Sequence, residues 1–200
     1  MPTPIRYTFS LISPFSYLGA ARFFSMAEEA KAQITYRPVS VGDVFAATGG
    51  LPPAKRHPSR QAYRMVELAR WKELRDKGRM NLQPAHFPAN DSYATALVNA
   101  VIAESGDPRA LILGLHNLVW EDEGDIADEA QVEAVGAREG YDMVRLTAAA
   151  KTEEIAGLRA VYTQEAIDAG IFGLPWYQVG SDDYWGQDYL EIIAQRLGLA

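Results

Sequence analysis

Ser13-Pro14 stands where an extended segment gives way to a helical one. A serine there caps free backbone N–H groups, and a proline is best tolerated in the first turn. As a nucleophile the hydroxyl would need an adjacent base, and no histidine lies near it in sequence. The chain has no cysteine, which excludes disulfides, thiolate metal ligands, a cysteine nucleophile and any redox pair of its own. If sulfur chemistry happens here, another molecule brings the sulfur. Gly186-Gln187-Asp188 opens a second helix with an acidic residue in the favoured first turn. Exposed N–H groups there suit a carboxylate, and the Asp188 side chain can accept from an ammonium.

Other polar clusters read more plainly. Lys55, Arg56 and Arg60 lie in a Pro-rich loop, as a solvated face or as cations for a carboxylate. Asn90 fits a turn or cap before a helix at Ser92. His57, His86 and His116 are too far apart for a compact metal motif. The run Glu121-Asp122-Glu123-Gly124-Asp125 lacks the EF-hand ligand order and its terminal Glu, so it reads as a solvated loop. Trp71, Trp176 and the neighbouring tyrosines are core or pocket walls.

The elements that must position these residues follow from periodicity. Arg6, Thr8 and Ser10 alternate with Tyr7, Phe9 and Leu11, the pattern of a strand with one face buried. Ala20, Phe23, Phe24 and Ala27 form a helical stripe. Ile34 and Tyr36 mark a second strand ending near Pro38. The short crossover favours parallel strands. Helical spacing then recurs from about residue 44 to 168, including Ala62, Met65, Val66 and Ala69; Ala94, Leu97, Val98 and Val101; and Leu111, Gly114, Leu115 and Leu118. Asp107-Pro108 and Asp128 before Gln131 read as helix starts, and Gly170 as a stop. Trp176–Val179 and Asp183–Trp185 flank Gly180-Ser181-Asp182 as an antiparallel hairpin, and a last helix carries Leu190, Ile193, Ala194 and Leu197 up to Gly198. The layout is βαβ, a helical stretch, then ββα.

The 200 residues carry 19 Lys and Arg against 26 Asp and Glu. That net charge of −7 argues against a general nucleic-acid or anionic-membrane binder. The start of the chain lacks the features of a secretion signal, and no run of about 18 apolar residues suggests a span. The expected location is the cytoplasm, with no membrane partner.

Ser13-Pro14-Phe15-Ser16-Tyr17-Leu18, Gly170-Ile171-Phe172-Gly173-Leu174-Pro175 and Tyr184-Trp185-Gly186-Gln187-Asp188 together resemble the 2-hydroxychromene-2-carboxylate isomerase family. Its relatives are the kappa-class glutathione transferases and the DsbA oxidoreductases. Tyr36-Arg37-Pro38, Arg70-Trp71 and Phe87-Pro88-Ala89-Asn90 extend the resemblance along the chain. The fold implied is α/β, a thioredoxin-like domain of residues 1–45 and 169–200 interrupted by an all-helical insertion of residues 46–168. The resemblance further implies glutathione as cofactor. Ser13 would donate to its thiolate at the positive end of the first helix, favouring the anion. Pro175 would be cis, with the backbone of Leu174 pairing with the cysteinyl part as an added strand does. Trp185, Gly186, Gln187 and Asp188 would bind the γ-glutamyl end.

Departures bear on the substrate. In the naphthalene-pathway isomerases a lysine used for the aromatic substrate falls where Phe45 stands, and a tyrosine falls where Asp91 stands. Lys55 and Asn90 are the substrate-side candidates, and no metal is implied. The leading expectation is a glutathione-dependent isomerase of an aromatic hydroxychromene or benzylidenepyruvate-type acid. The alternatives are a kappa-like glutathione transferase and a non-catalytic DsbA-shaped binding protein. A homodimer follows from resemblance alone.

Overall fold

A computed structural model describes residues 3–199. The sheet has four strands, β1 (Pro4–Phe9), β2 (Gln33–Pro38), β3 (Trp176–Val179) and β4 (Asp182–Trp185), in the order β2-β1-β3-β4. β1 and β2 are parallel, with Tyr7 opposite Tyr36; β3 runs antiparallel to β1, with Tyr7 opposite Tyr177, and β4 antiparallel to β3. The crossover between β1 and β2 is α1 (Pro14–Glu29). Ile5, Tyr7 and Phe9 alternate onto the face that α1 covers, and Tyr7 stacks on Phe9 at 4.6 Å and on Tyr177 at 5.3 Å. Phe23 of α1 closes over Tyr7 at 4.7 Å. Ring contacts of this kind add to the area term of a buried aromatic core.

Between β2 and β3 the chain is helical: α2 (Val41–Thr48), α3 (Pro58–Leu74), α4 (Ser92–Ala103), α5 (Arg109–Trp120), α6 (Glu129–Arg138), α7 (Met143–Ala150) and α8 (Glu153–Asp168). Position 45 thus lies inside α2. Caps explain most of the starts: Ser40, Asp128, Asp142 and Thr152 each accept a hydrogen bond from a backbone N–H of the helix they precede. Thr152 separates α7 from α8 within what reads as continuous helical composition. The main apolar core is continuous from Ile5, Tyr7 and Phe23 to Leu97, Leu111 and Val132. A smaller cluster, Val39, Val44, Ala166, Ile171 and Leu174, forms where α2 and α8 meet the loop before β3.

Two local expectations change. Thr8 and Ser10 were expected on a solvent face of β1, yet both are buried. Partners from the helical stretch, more than 80 residues further along the chain, enclose that face near the carboxyl end of the strand. The hairpin turn is only Gly180-Ser181, because Asp182 already pairs with Val179. Gly180 takes a positive φ of 62°, which a glycine adopts without steric cost. After β4 one 3-10 turn (Gln187–Tyr189) precedes the last helix, α9 (Leu190–Arg196).

Candidate functional site

Three chain segments meet at the carboxyl end of β1. β1 stops at Phe9, Ser10 follows, and the Ser13 N–H donates back to the Ser10 carbonyl at 3.1 Å, closing a tight turn into α1. Ser13 is the N-cap of α1: its Oγ accepts from the Ser16 N–H at 3.3 Å. Pro14 has no N–H, so Phe15 carries the first open amide of the helix. No acidic residue occupies the first turn, which leaves the positive end of this 16-residue helix uncompensated by its own side chains. The Ser13 hydroxyl uses its oxygen as an acceptor, and its proton has no acceptor among the described residues.

The register of β3 on β1, with Thr8 opposite Trp176, carries Pro175 alongside Phe9 and Leu174 alongside Ser10. The Leu174-Pro175 bond is cis. Leu174 turns its side chain into the smaller core cluster, and neither its N–H nor its C=O has a hydrogen-bond partner among the described residues. Unpaired main-chain groups at the end of a sheet are an acceptor surface for an extended peptide. The Pro175 carbonyl accepts from the Gly186 N–H at 2.9 Å, which fastens the third segment to the second.

That third segment is Trp185–Asp188. Gly186 has φ of 99°, and a Cβ there would overlap Asp188 Oδ1, so glycine is required on both counts. The Asp188 carboxylate is exposed and has no ionic partner or hydrogen bond among the described residues. Trp185 is 51% exposed and meets Phe172 edge-on at 4.7 Å. Gly173 lies so close beneath the indole that a Cβ would clash with it.

Gln187 of this segment is turned inward. It is fully buried, its Oε1 accepts from Arg75 Nε at 2.9 Å, and its carbonyl accepts from Arg75 Nη2 at 3.0 Å. The 3-10 turn points residue 187 inward against Gly19 of α1, so its side chain holds α1, α3 and the turn together.

The substrate-side candidates lie in the helical stretch between β2 and β3. Lys55 ends a 3-10 turn (Pro53–Lys55), exposed and without an acidic partner among the described residues. Arg56 lies over the Phe45 ring at 5.5 Å, and burial together with Arg60 lowers its pKa; Arg64 is lowered by burial and by Arg56. These arginines form a partly dehydrated cationic cluster. The Asn90 side chain accepts from the Ser92 N–H at 3.0 Å and the Ser92 hydroxyl at 2.7 Å, so it caps the start of α4. The acidic run of residues 121–125 clasps the loop before α4: Arg79 bridges Glu121 and Asp122, and Glu123 takes bonds from Asn81 and the Ala85 N–H.

Two buried groups next to the site escape a reading by local motif. Asp91 is only 1% exposed; its Oδ1 accepts from Arg159 Nη2 at 2.6 Å and its Oδ2 from the Ser10 hydroxyl at 3.3 Å. Burial raises its pKa, against the opposing pull of Arg159 and Ser10. His116 is fully buried beside Tyr17, and dehydration, only partly offset by the nearby Ser10 backbone, lowers it to about 3. Sixty-eight residues separate Asp91 from Arg159, and no spacing rule links them.

Comparison with known proteins adds a family and several relatives. The family model described as DSBA-like thioredoxin domain matches residues 5–198. The 2-hydroxychromene-2-carboxylate isomerase of Pseudomonas sp. (strain C18) is 28% identical over 199 residues, covering 97% of this chain and 90% of that protein. Glutathione S-transferase kappa 1 of Caenorhabditis elegans is 24% identical over 208 residues, covering 96% and 90%. A solved 2-hydroxychromene-2-carboxylate isomerase superimposes with a TM-score of 0.76 at 26% identity, covering 98% of this chain and 94% of that one.

Proposed function

The chain belongs to the DSBA-like thioredoxin domain family, and on that premise we propose that it is a glutathione-dependent isomerase of an aromatic hydroxychromene or benzylidenepyruvate-type acid. Its similarity to isomerases over nearly the full length of both chains supports that reaction class. One observation carries the reading. A hydroxyl with an uncommitted proton, an unpaired peptide edge and an unpaired carboxylate are supplied by Ser13, Leu174 and Asp188. Those groups match the thiolate, the cysteinyl backbone and the γ-glutamyl ammonium of the tripeptide.

Bound glutathione would supply a sulfur nucleophile that adds reversibly to the conjugated double bond of the acid, permits rotation about the saturated bond, and leaves again unchanged. The chain's own part is electrostatic and positional. Ser13 O–H and the open amide end of α1 hold negative charge on sulfur, lowering a thiol pKa from its free value of about 8.5. Leu174 fixes the depth of the cysteinyl unit through main-chain bonds, and Asp188 anchors the ammonium. Trp185 and Gly186 flank that anchor. Lys55 and the Arg56, Arg60 and Arg64 cluster offer positive charge for a carboxylate. Positioning of this kind is able to supply several kcal/mol of barrier lowering.

Calorimetric titration with glutathione should show binding, and Ser13→Ala should bind the tripeptide yet lose most of its turnover. Unchanged turnover removes Ser13 from the mechanism, and absent binding at millimolar glutathione removes the reading. A second reading, a kappa-like transferase, draws on the similarity to the nematode enzyme. Product analysis separates them, because net consumption of glutathione means transfer and none means isomerisation.

A further inference from the structure

Three residues that lie apart in sequence make one hydrogen-bonded chain behind the Ser13 turn. Arg159 Nη2 donates to Asp91 Oδ1 at 2.6 Å, and the Ser10 hydroxyl donates to Asp91 Oδ2 at 3.3 Å. The Ser10 carbonyl in turn receives the Ser13 N–H at 3.1 Å. Asp91 sits at the N-cap position of α4 but makes no capping bond; Asn90 takes that task, which frees the Asp91 carboxylate to point at Ser10. Arg159 is steadied on α8 by a further bond from its Nη1 to the Ser92 hydroxyl at 3.2 Å. One helical turn on, Thr163 Oγ1 accepts from the Ser40 N–H at 3.0 Å, so this face of α8 is pinned to the end of β2 as well.

A carboxylate 1% exposed and two hydrogen bonds from the Ser13 amide is poorly screened by water. Standing alone it would oppose any anion at the helix mouth. Its partner Arg159 cancels that field while leaving the carboxylate able to hold Ser10. His116, whose ring lies beside the Ser10 backbone, is kept neutral by burial and adds no charge there.

We propose that Asp91 and Arg159 are a charge-compensated positioning pair for Ser13. Asp91 fixes the turn through Ser10, and Arg159 stops the Asp91 charge from raising the energy of an anion at the cap. The proposal rests on the reading of Ser13 as the thiolate's partner. It places two determinants of that site on α4 and α8, outside the three segments that line it.

The test is the pH titration of bound glutathione, followed by the ultraviolet absorbance of its thiolate, in the full chain and its variants, with thermal melts to establish folding. Arg159→Gln should raise the apparent thiol pKa by about one pH unit, the effect of one uncompensated buried charge. Asp91→Asn, which leaves Arg159 unbalanced, should lower it. The double variant should return near the wild-type titration, and Arg159→Lys, which keeps the charge, should do so too. Where Arg159→Gln does not fold, Asp91→Asn and the double variant still give the sign. Single variants that shift the same way, or that leave the titration unmoved while the wild-type protein shows a thiolate, overturn the pair's role. A wild-type protein that binds no thiolate overturns the glutathione reading instead, and the inference falls with it.

Discussion

A hydroxyl can steady an anion only if its proton has not been given elsewhere, and at Ser13 the local geometry meets that condition. The oxygen accepts from Ser16 while the hydrogen stays uncommitted, so one side chain caps the helix and still has a donor to offer. Ser13→Ala therefore removes two things. The cap loss should cost about 1 kcal/mol of stability, read from denaturant unfolding, while the loss of the donor should appear as a larger fall in turnover. If stability falls while turnover stays unchanged, the hydroxyl does no more than cap. At Gly186, alanine meets both a positive φ and the Asp188 carboxylate. Gly186→Ala should displace Asp188 and weaken glutathione binding at least several-fold in a calorimetric titration, more than it disturbs folding. Both residues are legible from sequence because their roles are local: Ser-Pro at a helix start and glycine before a turn are short-range signals.

Elements carry information that single positions do not. The 3-10 turn before α9 is docked by Gln187, which reaches Arg75 of the α3 C-terminus while its Cβ faces Gly19 of α1. A methyl at position 19 would stand 2.6 Å from the Gln187 Cβ and 3.0 Å from the Tyr177 hydroxyl. Gly19→Ala should destabilise the protein by about 1–3 kcal/mol and loosen the Asp188 turn, so its melting temperature and its glutathione affinity should fall together. Retained affinity in a destabilised variant would uncouple the turn from α1. From sequence, Gln187 looks like part of a helix N-terminus that faces solvent, because the rule for acidic first turns says nothing about which neighbour waits behind. The break between α7 and α8 is hidden for a related reason: Thr152 is a cap only by virtue of the backbone it meets. The βαβ and hairpin units, by contrast, are plain in the alternation of Tyr7 and Phe9 and in Gly180.

Across the whole molecule, helices laid down between β2 and β3 close over the end of the sheet. They bury Thr8, Ser10, Asp91 and His116. Contacts such as Ser10 to Asp91, 81 residues apart, depend on the assembled tertiary structure, which is why the thioredoxin-like order was readable and this network was not. His116 provides a global test. Its pKa is about 3 in the folded protein, below the ordinary 6.5, so folding favours the neutral ring. That contribution is complete above about pH 6.5 and is lost as pH falls toward 3, with an upper bound of about 5 kcal/mol. Urea unfolding at pH 7 and pH 4 should show a smaller loss for His116→Phe than for the wild-type chain. Equal losses would mean that protonation elsewhere drives acid unfolding.

The open peptide edge at Leu174 has an evolutionary corollary. Amide and carbonyl look alike whichever apolar residue bears them, so natural variation at this position would pass unnoticed by the ligand provided the small cluster beneath stays filled. On the proposed reading, descendants could exchange leucine for valine or isoleucine and retain a main-chain contact with the tripeptide, leaving the grip written in geometry that outlasts spelling.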